Sequence, residues 1–117
     1  MKVIEKGWGR EMIFADMPNY CGKYMIFDKE GSRCSMHFHA IKDETWYVQR
    51  GSFIVKWIET KDASVHEHVL GAGNNWHNPP LMPHQLIALE DNSCIVEVST
   101  HDDPNDNYRV AVGDSQK

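Results

Sequence analysis

Short β-prone runs separated by turn residues constrain the fold of this chain more than any other feature. The clearest pair is 44–49 (Glu-Thr-Trp-Tyr-Val-Gln) and 53–59 (Phe-Ile-Val-Lys-Trp-Ile-Glu), which flank a turn centred on Gly51 and predict a hairpin. Similar runs recur along the chain, and no window of about eleven residues shows a helical period of apolar residues. Nine or ten short strands with regular turns predict an all-β sandwich or barrel.

The length of 117 residues predicts one domain over 1–117, with a core at about 8–112 and a flexible tail. The formal net charge of −5 and the absence of a Lys/Arg cluster argue against a nucleic-acid partner. No apolar run approaches the roughly 18 residues of a membrane span, which argues against a membrane protein. Three cysteines without a CxxC pair, and a start without an apolar leader, predict free thiols and a cytoplasmic location.

A candidate metal site begins in the segment 31–51. His37 and His39 are two residues apart in a predicted strand, so their side chains face the same side. Glu44 begins the next strand and can reach the same point. His84, which follows a proline-rich segment and opens another strand, is the best candidate for a distant fourth ligand. Three imidazoles and a carboxylate suit one divalent transition metal, namely Zn, Mn, Fe, Ni or Co. The alternative is a pair of ordinary polar histidines on an exposed strand.

Two segments carry a resemblance to a known superfamily. The segment from Gly31 to Gly51 resembles the first signature motif of the cupins at every named position, and that from Gly73 to Ala88 resembles the second. The second segment departs from its motif at Leu81 and Ala88, where a glycine and an asparagine are usual. The resemblance implies a single-domain cupin, which is a double-stranded β-helix or jelly-roll barrel.

A closer likeness covers roughly residues 5–110. Over this range the chain looks like small mannose-6-phosphate isomerase-like cupins, which are similar to the cupin domain of type II phosphomannose isomerases. The shared features are Gly7-Trp8-Gly9-Arg10-Glu11, the stretch 37–46, Val48-x-x-Gly51, Pro83-His84 and the stretch 97–101. Those proteins usually have proline at the position of Gly7, and the carboxylates that usually follow Arg109 are missing here. The resemblance implies a carbohydrate ligand and a homodimer formed through edge strands.

The candidate catalytic residue is Glu97. An aldose–ketose isomerase must move a proton between C1 and C2, which needs a base beside the metal. Glu97 faces inward if Ile95 and Ser99 do, and the alternative is a solvated strand carboxylate. The candidate substrate-binding residues are Lys42, Trp46, His77 and Arg109. For these four, ordinary roles stay open, such as a loop residue, a core aromatic residue or a surface salt bridge.

Three functions are compatible with the sequence. The first is a metal-dependent isomerase or epimerase acting on a sugar or sugar phosphate. The second is a non-catalytic cupin that binds a sugar or another small ligand, which the missing carboxylates after Arg109 favour. The third is an Fe(II)-dependent dioxygenase, which would need a position for O2 and an apolar substrate pocket.

Overall fold

The computed structural model describes residues 1–117 and consists mainly of β-strands. The eleven strands are β1 (Lys2–Lys6), β2 (Gly9–Asp16), β3 (Cys21–Phe27), β4 (Met36–Phe38), β5 (Glu44–Arg50), β6 (Ser52–Glu59), β7 (Ser64–Gly71), β8 (Asn75–Asn78), β9 (His84–Ala88), β10 (Ser93–Ser99) and β11 (Tyr108–Ala111). A 3-10 helix, Asp114–Gln116, follows the last strand. No helix has the length and apolarity that a membrane crossing requires.

The strands form two antiparallel sheets with the core between them. The six-stranded sheet has the order β1-β2-β3-β10-β5-β8, and the five-stranded sheet has the order β11-β4-β9-β6-β7. From β4 onwards the chain crosses repeatedly from one sheet to the other, as in a jelly roll. The predicted all-β jelly-roll barrel is therefore confirmed.

The core follows from the alternation of side chains along each strand. In β6, Phe53 and Val55 are fully buried, whereas Ile54 between them is partly exposed. Trp8, just before β2, stacks on Phe27 with ring centroids 4.3 Å apart. Twelve buried apolar side chains from both sheets form one cluster. The same alternation turns several polar side chains inward, and these build the site described below.

The first strand was not predicted from the sequence, and neither was the short edge strand β8. β1 is short, and only Ile4 and Lys6 within it are partly buried, so it shows no run of inward apolar residues. It pairs with β2 and forms one edge of the six-stranded sheet. The proline-rich stretch after Asn78 separates the edge strand β8 from β9, since proline cannot donate a backbone hydrogen bond within a sheet.

The residues after β11 differ from the expectation of a flexible tail. The Asp114 N–H donates to the Arg33 carbonyl at 3.0 Å, and the Arg33 N–H donates to the Asp114 carboxylate at 2.9 Å. The Gly7 N–H donates to Ser115 Oγ at 3.0 Å. These bonds hold residues 113–116, called the 113–116 turn below, against the barrel.

Replacing Asp114 with alanine should loosen this turn and destabilise the protein in a pH-dependent way. Burial alone would raise the pKa of Asp114, but hydrogen bonds from the Arg33 N–H and from Lys117 hold it below its usual value. A carboxyl group with a depressed folded-state pKa contributes fully above its unfolded pKa of about 3.9, and this contribution is lost as the pH falls through the folded-state pKa. We expect a loss of about 1–2 kcal/mol in the free energy of unfolding at neutral pH.

Urea unfolding of both proteins in a series from about pH 7 down to about pH 2 measures this effect, because the carboxylate is lost in that range. The difference between wild type and Asp114→Ala should shrink at the acid end. Asp16→Ala is the control, since Asp16 is exposed at the end of β2. A difference that stays constant over the whole series would show that the charge of Asp114 is not its source.

Candidate metal centre

Three histidine side chains meet inside the barrel. His37 in β4 is paired with His84 in β9 across the five-stranded sheet, and His39 lies just after β4. One ring nitrogen from each histidine lies within 4.8 Å of the other two. Glu44 begins β5 in the other sheet, and its Oε1 lies 3.0 Å from His84 Nε2 and 3.3 Å from His39 Nε2. The structure therefore brings all four predicted ligands together.

Backbone carbonyl groups hold the three imidazole rings in one orientation. Nδ1 contacts the Ser35 carbonyl at 2.9 Å in His37, the Asp106 carbonyl at 2.6 Å in His39, and the carbonyl of residue 82 at 2.9 Å in His84. A carbonyl oxygen can only accept, so each Nδ1 carries the hydrogen and each Nε2 keeps a free lone pair. Such contacts are typical of histidines that bind a metal.

Two buried atoms at this point lack a hydrogen-bond partner. They are His84 Nε2 and Glu44 Oε1, which are 3.0 Å apart without the geometry of a hydrogen bond. An unsatisfied buried polar group costs about 1–3 kcal/mol. A cation would satisfy the carboxylate oxygen and the imidazole lone pair together. The residues present thus fit a divalent transition metal.

The titration behaviour of His37 and Glu44 agrees with this interpretation. Burial, aided by the neighbouring His84, lowers the pKa of His37 to about 3. For Glu44, burial alone would raise the pKa, but the neighbouring Glu97, His39 and His84 hold it well below its usual value. A neutral imidazole and an ionised carboxylate are the states that a metal requires of its ligands.

Asp106 supports the centre from a loop. Its carbonyl accepts the hydrogen bond from His39, and the residue is only 6% exposed. Its carboxylate accepts hydrogen bonds from three successive backbone N–H groups, those of Ala40 at 2.7 Å, Ile41 at 3.1 Å and Lys42 at 2.9 Å. Asp106 therefore orients a predicted metal ligand and also holds the loop that carries Lys42.

A network of buried charges lies beside the histidines. Lys42 Nζ donates to Glu97 Oε2 at 3.0 Å and to Asp102 Oδ1 at 3.1 Å. Lys23 Nζ lies 3.2 Å from Glu11 Oε1 and 3.6 Å from Glu97 Oε2. Burial alone would lower the pKa of both lysines, but the surrounding carboxylates raise it above its usual value. Both lysines are therefore charged.

Glu97 is the centre of this network. Ile95 and Glu97 are both buried, so the alternation along β10 turns Glu97 inward as the sequence predicted. Its Oε1 accepts a hydrogen bond from Trp46 Nε1 at 3.0 Å, and its carboxyl group is a neighbour of the Glu44 carboxyl group. Burial and the charge of Glu44 raise the pKa of Glu97 to about 7, although the two lysines oppose this shift.

The buried charges around this centre do not balance. The charged side chains of the network, with Glu44, are Glu11, Lys23, Lys42, Glu44, Glu97 and Asp102. When all six are ionised, the four carboxylates exceed the two ammonium groups by two charges. A divalent cation bound by the histidines and Glu44 would balance this excess.

A cavity of about 290 Å³ opens onto the centre and the charge network. Lys42, Trp46, Glu97 and Arg109 line it, together with the metal-site residues His37, His39 and Glu44. Arg109 is exposed, whereas Trp46 is only 1% exposed. Because so little of its ring is accessible, Trp46 positions Glu97 through its N–H rather than offering a flat face to a sugar.

His77 is the predicted substrate-binding residue that the structure places elsewhere. It does not line the cavity, and its Nε2 pairs with the Asp43 carboxylate at 2.5 Å on the exposed surface. The reason is its position in β8: Trp76 packs against the core, so the next residue faces outward.

Several residues of the site were not predicted. Lys23 alternates in β3 with the buried residues Cys21, Met25 and Phe27, so its inward direction could have been inferred from the period of two. Asp102 and Asp106 lie in the loop between β10 and β11, where no periodic pattern indicates direction. Only the folded chain brings that loop against residues 40–42.

Comparison with known proteins supports the fold. No protein-family model matches the chain, and no curated protein does either. Among solved structures, KdgF from Halomonas sp. has a TM-score of 0.71 and 23% identity, with 82% of this chain and 81% of that chain covered. The capsular polysaccharide assembling protein CapF from Staphylococcus aureus has a TM-score of 0.81 and 20% identity, with 95% of this chain and 32% of that chain covered.

A third similar structure is oxalate decarboxylase from Bacillus subtilis at pH 4.6. It has a TM-score of 0.76 and 25% identity, with 92% of this chain and 29% of that chain covered. The chain thus spans about a third of the length of CapF and of oxalate decarboxylase. All three are cupin-fold proteins, so the predicted cupin fold is confirmed.

Proposed function

We propose that this metal-binding cupin is an isomerase or epimerase that acts on a small sugar or sugar phosphate. The observation that carries the proposal is the position of Glu97. Its buried carboxyl group is a neighbour of Glu44, and both line one cavity together with two of the clustered histidines. A proton-transfer group next to a metal centre is what interconversion of aldoses and ketoses needs.

The metal would be held by His37, His39 and His84 through Nε2 and by the Glu44 carboxylate. When bound, a divalent metal supplies Lewis-acid stabilisation of negative charge on the oxygen atoms of the substrate. The remaining steps fall to the side chains of this chain.

In the proposed reaction Glu97 moves one proton along the sugar. Its carboxylate removes the proton from C2 of the aldose, which breaks the C2–H bond and leaves an enediolate. The same carboxyl group then gives a proton to C1, which forms the C1–H bond, and the proton of the O2 hydroxyl group passes to O1, so that C2 becomes the carbonyl carbon. Lys42 and Trp46 hold the two oxygens of Glu97 in position during both transfers, each at 3.0 Å. No oxidant or reductant is needed.

The cavity favours a ligand of monosaccharide size. Its volume of about 290 Å³ lies at the lower end of the range for small-molecule sites, which is about 300–1,000 Å³. Only five of the 21 residues that line it are hydrophobic, which suits a polyhydroxylated ligand better than the apolar substrate pocket expected for a dioxygenase.

Deuterium incorporation tests this proposal. Metal-loaded protein in D2O is incubated with D-mannose, D-fructose and their 6-phosphates, and C1 and C2 are followed by NMR. We expect metal-dependent exchange at C2 together with formation of the isomer. Sugar binding with neither exchange nor formation of the isomer would contradict the isomerase, and turnover that requires ferrous iron and oxygen would indicate the dioxygenase instead.

A sugar-binding cupin without turnover is the second candidate. It is favoured by one observation: both oxygens of Glu97 already accept hydrogen bonds, from Trp46 and Lys42. The ammonium group of Lys42 opposes the rise in the pKa of Glu97 and so limits the basicity of its carboxylate. A rise in melting temperature with a sugar, in the absence of exchange, would support this candidate.

A further inference from the structure

We propose that β1, β11 and the 113–116 turn form an anion-binding wall of the cavity, which takes a phosphate or carboxylate group of the ligand. This inference rests on the proposed function, because it concerns the ligand of the same cavity. The wall, called the anion wall below, consists of the cavity-lining residues Lys6, Arg109, Ser115 and Gln116.

The two polar residues of the turn present hydrogen-bond donors to the cavity. Ser115 Oγ accepts from the Gly7 N–H at 3.0 Å, so its own hydrogen is free to point elsewhere. Gln116 Oε1 accepts from the Gly113 N–H at 2.8 Å, which engages its oxygen and leaves its NH2 group without a partner. Donors without matching acceptors on the same wall favour an acceptor-rich group such as phosphate or carboxylate.

The two cations of the wall lack partners. Lys6 and Arg109 line the cavity and make no ion pair, in contrast to Lys23 and Lys42, whose ammonium groups contact carboxylates. The other three arginines each have a partner. Arg10 contacts a carboxylate, whereas Arg33 and Arg50 each donate to a backbone carbonyl group. Arg109 is therefore the one arginine without such a partner. A guanidinium group is well suited to bind the oxygens of a phosphate or carboxylate.

The charge of the loaded cavity agrees with an anionic ligand. Four cationic side chains line it, namely Lys6, Lys23, Lys42 and Arg109. Five carboxyl groups line it as well, namely Glu11, Glu44, Glu97, Asp102 and Asp103. With all of these ionised, the balance is one negative charge, which a divalent cation would convert to one positive charge. The excess positive charge would then lie among the unpaired cations of the anion wall.

The close packing of the turn accounts for an unusual residue in the sequence. A Cβ atom on Gly7 would lie 2.3 Å from the Asp114 carbonyl oxygen, so any larger residue would push the turn away. The proteins that the sequence resembles usually have proline at this position. Proline would also remove the N–H group that donates to Ser115 Oγ. Because Gly7 has no side chain, the 113–116 turn can pack close enough to line the cavity.

Ligand binding to the metal-loaded protein tests the anion wall. By isothermal titration calorimetry, we expect D-mannose 6-phosphate or D-glucuronate to bind at least tenfold more tightly than D-mannose, and the two anions distinguish a phosphate from a carboxylate. Gln116→Glu places a carboxylate of nearly the same shape on the wall. It should weaken binding of the preferred anion at least tenfold and change that of D-mannose less than twofold. The metal content should stay the same.

A second variant, Lys6→Gln, removes one cation of the anion wall. Its matched control is Lys2→Gln, because Lys2 lies on the same strand, is exposed and does not line the cavity. Lys6→Gln should weaken anion binding, and Lys2→Gln should leave it unchanged. Equal affinity of the wild type for D-mannose and both anions, or an unchanged anion affinity in Gln116→Glu, would overturn the anion wall. Neither result would affect the deuterium exchange on which the isomerase proposal depends.

Inorganic phosphate gives a readout that does not depend on any sugar. We expect phosphate to raise the melting temperature of the metal-loaded wild type but not that of Gln116→Glu. If no sugar binds at all, this result still supports the wall while the isomerase proposal fails. No shift in the wild type, or the same shift in Gln116→Glu, would overturn the wall.

Discussion

Replacing His84 with alanine should remove the metal from the purified protein and leave the barrel folded. His84 is 1% exposed, its Nε2 lies 3.0 Å from Glu44 Oε1, and the carbonyl of residue 82 fixes its ring. Loss of a residue that only supports a ligand lowers metal affinity by about 10–100-fold, so loss of a ligand itself should exceed that range. Elemental analysis of protein purified without chelators should show about one metal per wild-type chain and close to none in the variant.

His66→Ala is the matched control for this experiment. His66 is also a histidine on a strand of the five-stranded sheet, but it is exposed and stacks on Trp57 away from the cluster. Its metal content should equal that of the wild type. A circular dichroism spectrum of His84→Ala like that of the wild type excludes unfolding as the cause. An unchanged metal content in His84→Ala would refute the assignment of the site.

Replacing Glu97 with glutamine should abolish isomerisation without removing the metal. The amide keeps the shape of the carboxyl group and can still contact Trp46, but it cannot carry a proton between C2 and C1. Loss of a general acid–base group costs about 10²–10⁴-fold in rate, and we expect a decrease of that size in kcat. The measurement is the rate of deuterium incorporation at saturating sugar, with metal content determined on the same sample.

Glu11→Gln is the control for this variant, because Glu11 also lines the cavity and pairs with Lys23 but is not a neighbour of Glu44 in the network. It should reduce kcat by less than about tenfold, as expected for a residue that does not transfer a proton. If Glu97→Gln retained the wild-type kcat, another group would have to move the proton. If it lost its metal, Glu97 would be needed to hold Glu44 rather than for proton transfer.

Much of the centre could be predicted because its ligands lie on strands. The period of two places His37 and His39 on one side, and it also turns Glu97 inward beside Ile95. The chain has strong turn residues between its strands, so the all-β architecture could be predicted as well. The same period would have placed His77 outside the cavity, since it follows the inward-facing Trp76.

The rest of the site depends on contacts between residues far apart in sequence. The 113–116 turn meets Gly7 and Arg33 only because the register of β11 against β4 carries the chain back across the barrel. That register cannot be inferred from the composition of the chain or from the periodicity of its apolar residues. β1 was missed for a different reason: an exposed edge strand needs few apolar residues, and its five residues show too little alternation to indicate a strand.

Asp106 has a consequence for any attempt to engineer this protein. Its backbone carbonyl orients His39, whereas its carboxylate holds the backbone that carries Lys42, the partner of Glu97. Metal affinity and the acid–base network therefore share one support. Variants of this loop selected for tighter metal binding will also shift Lys42, so the two properties will evolve together rather than as independent traits.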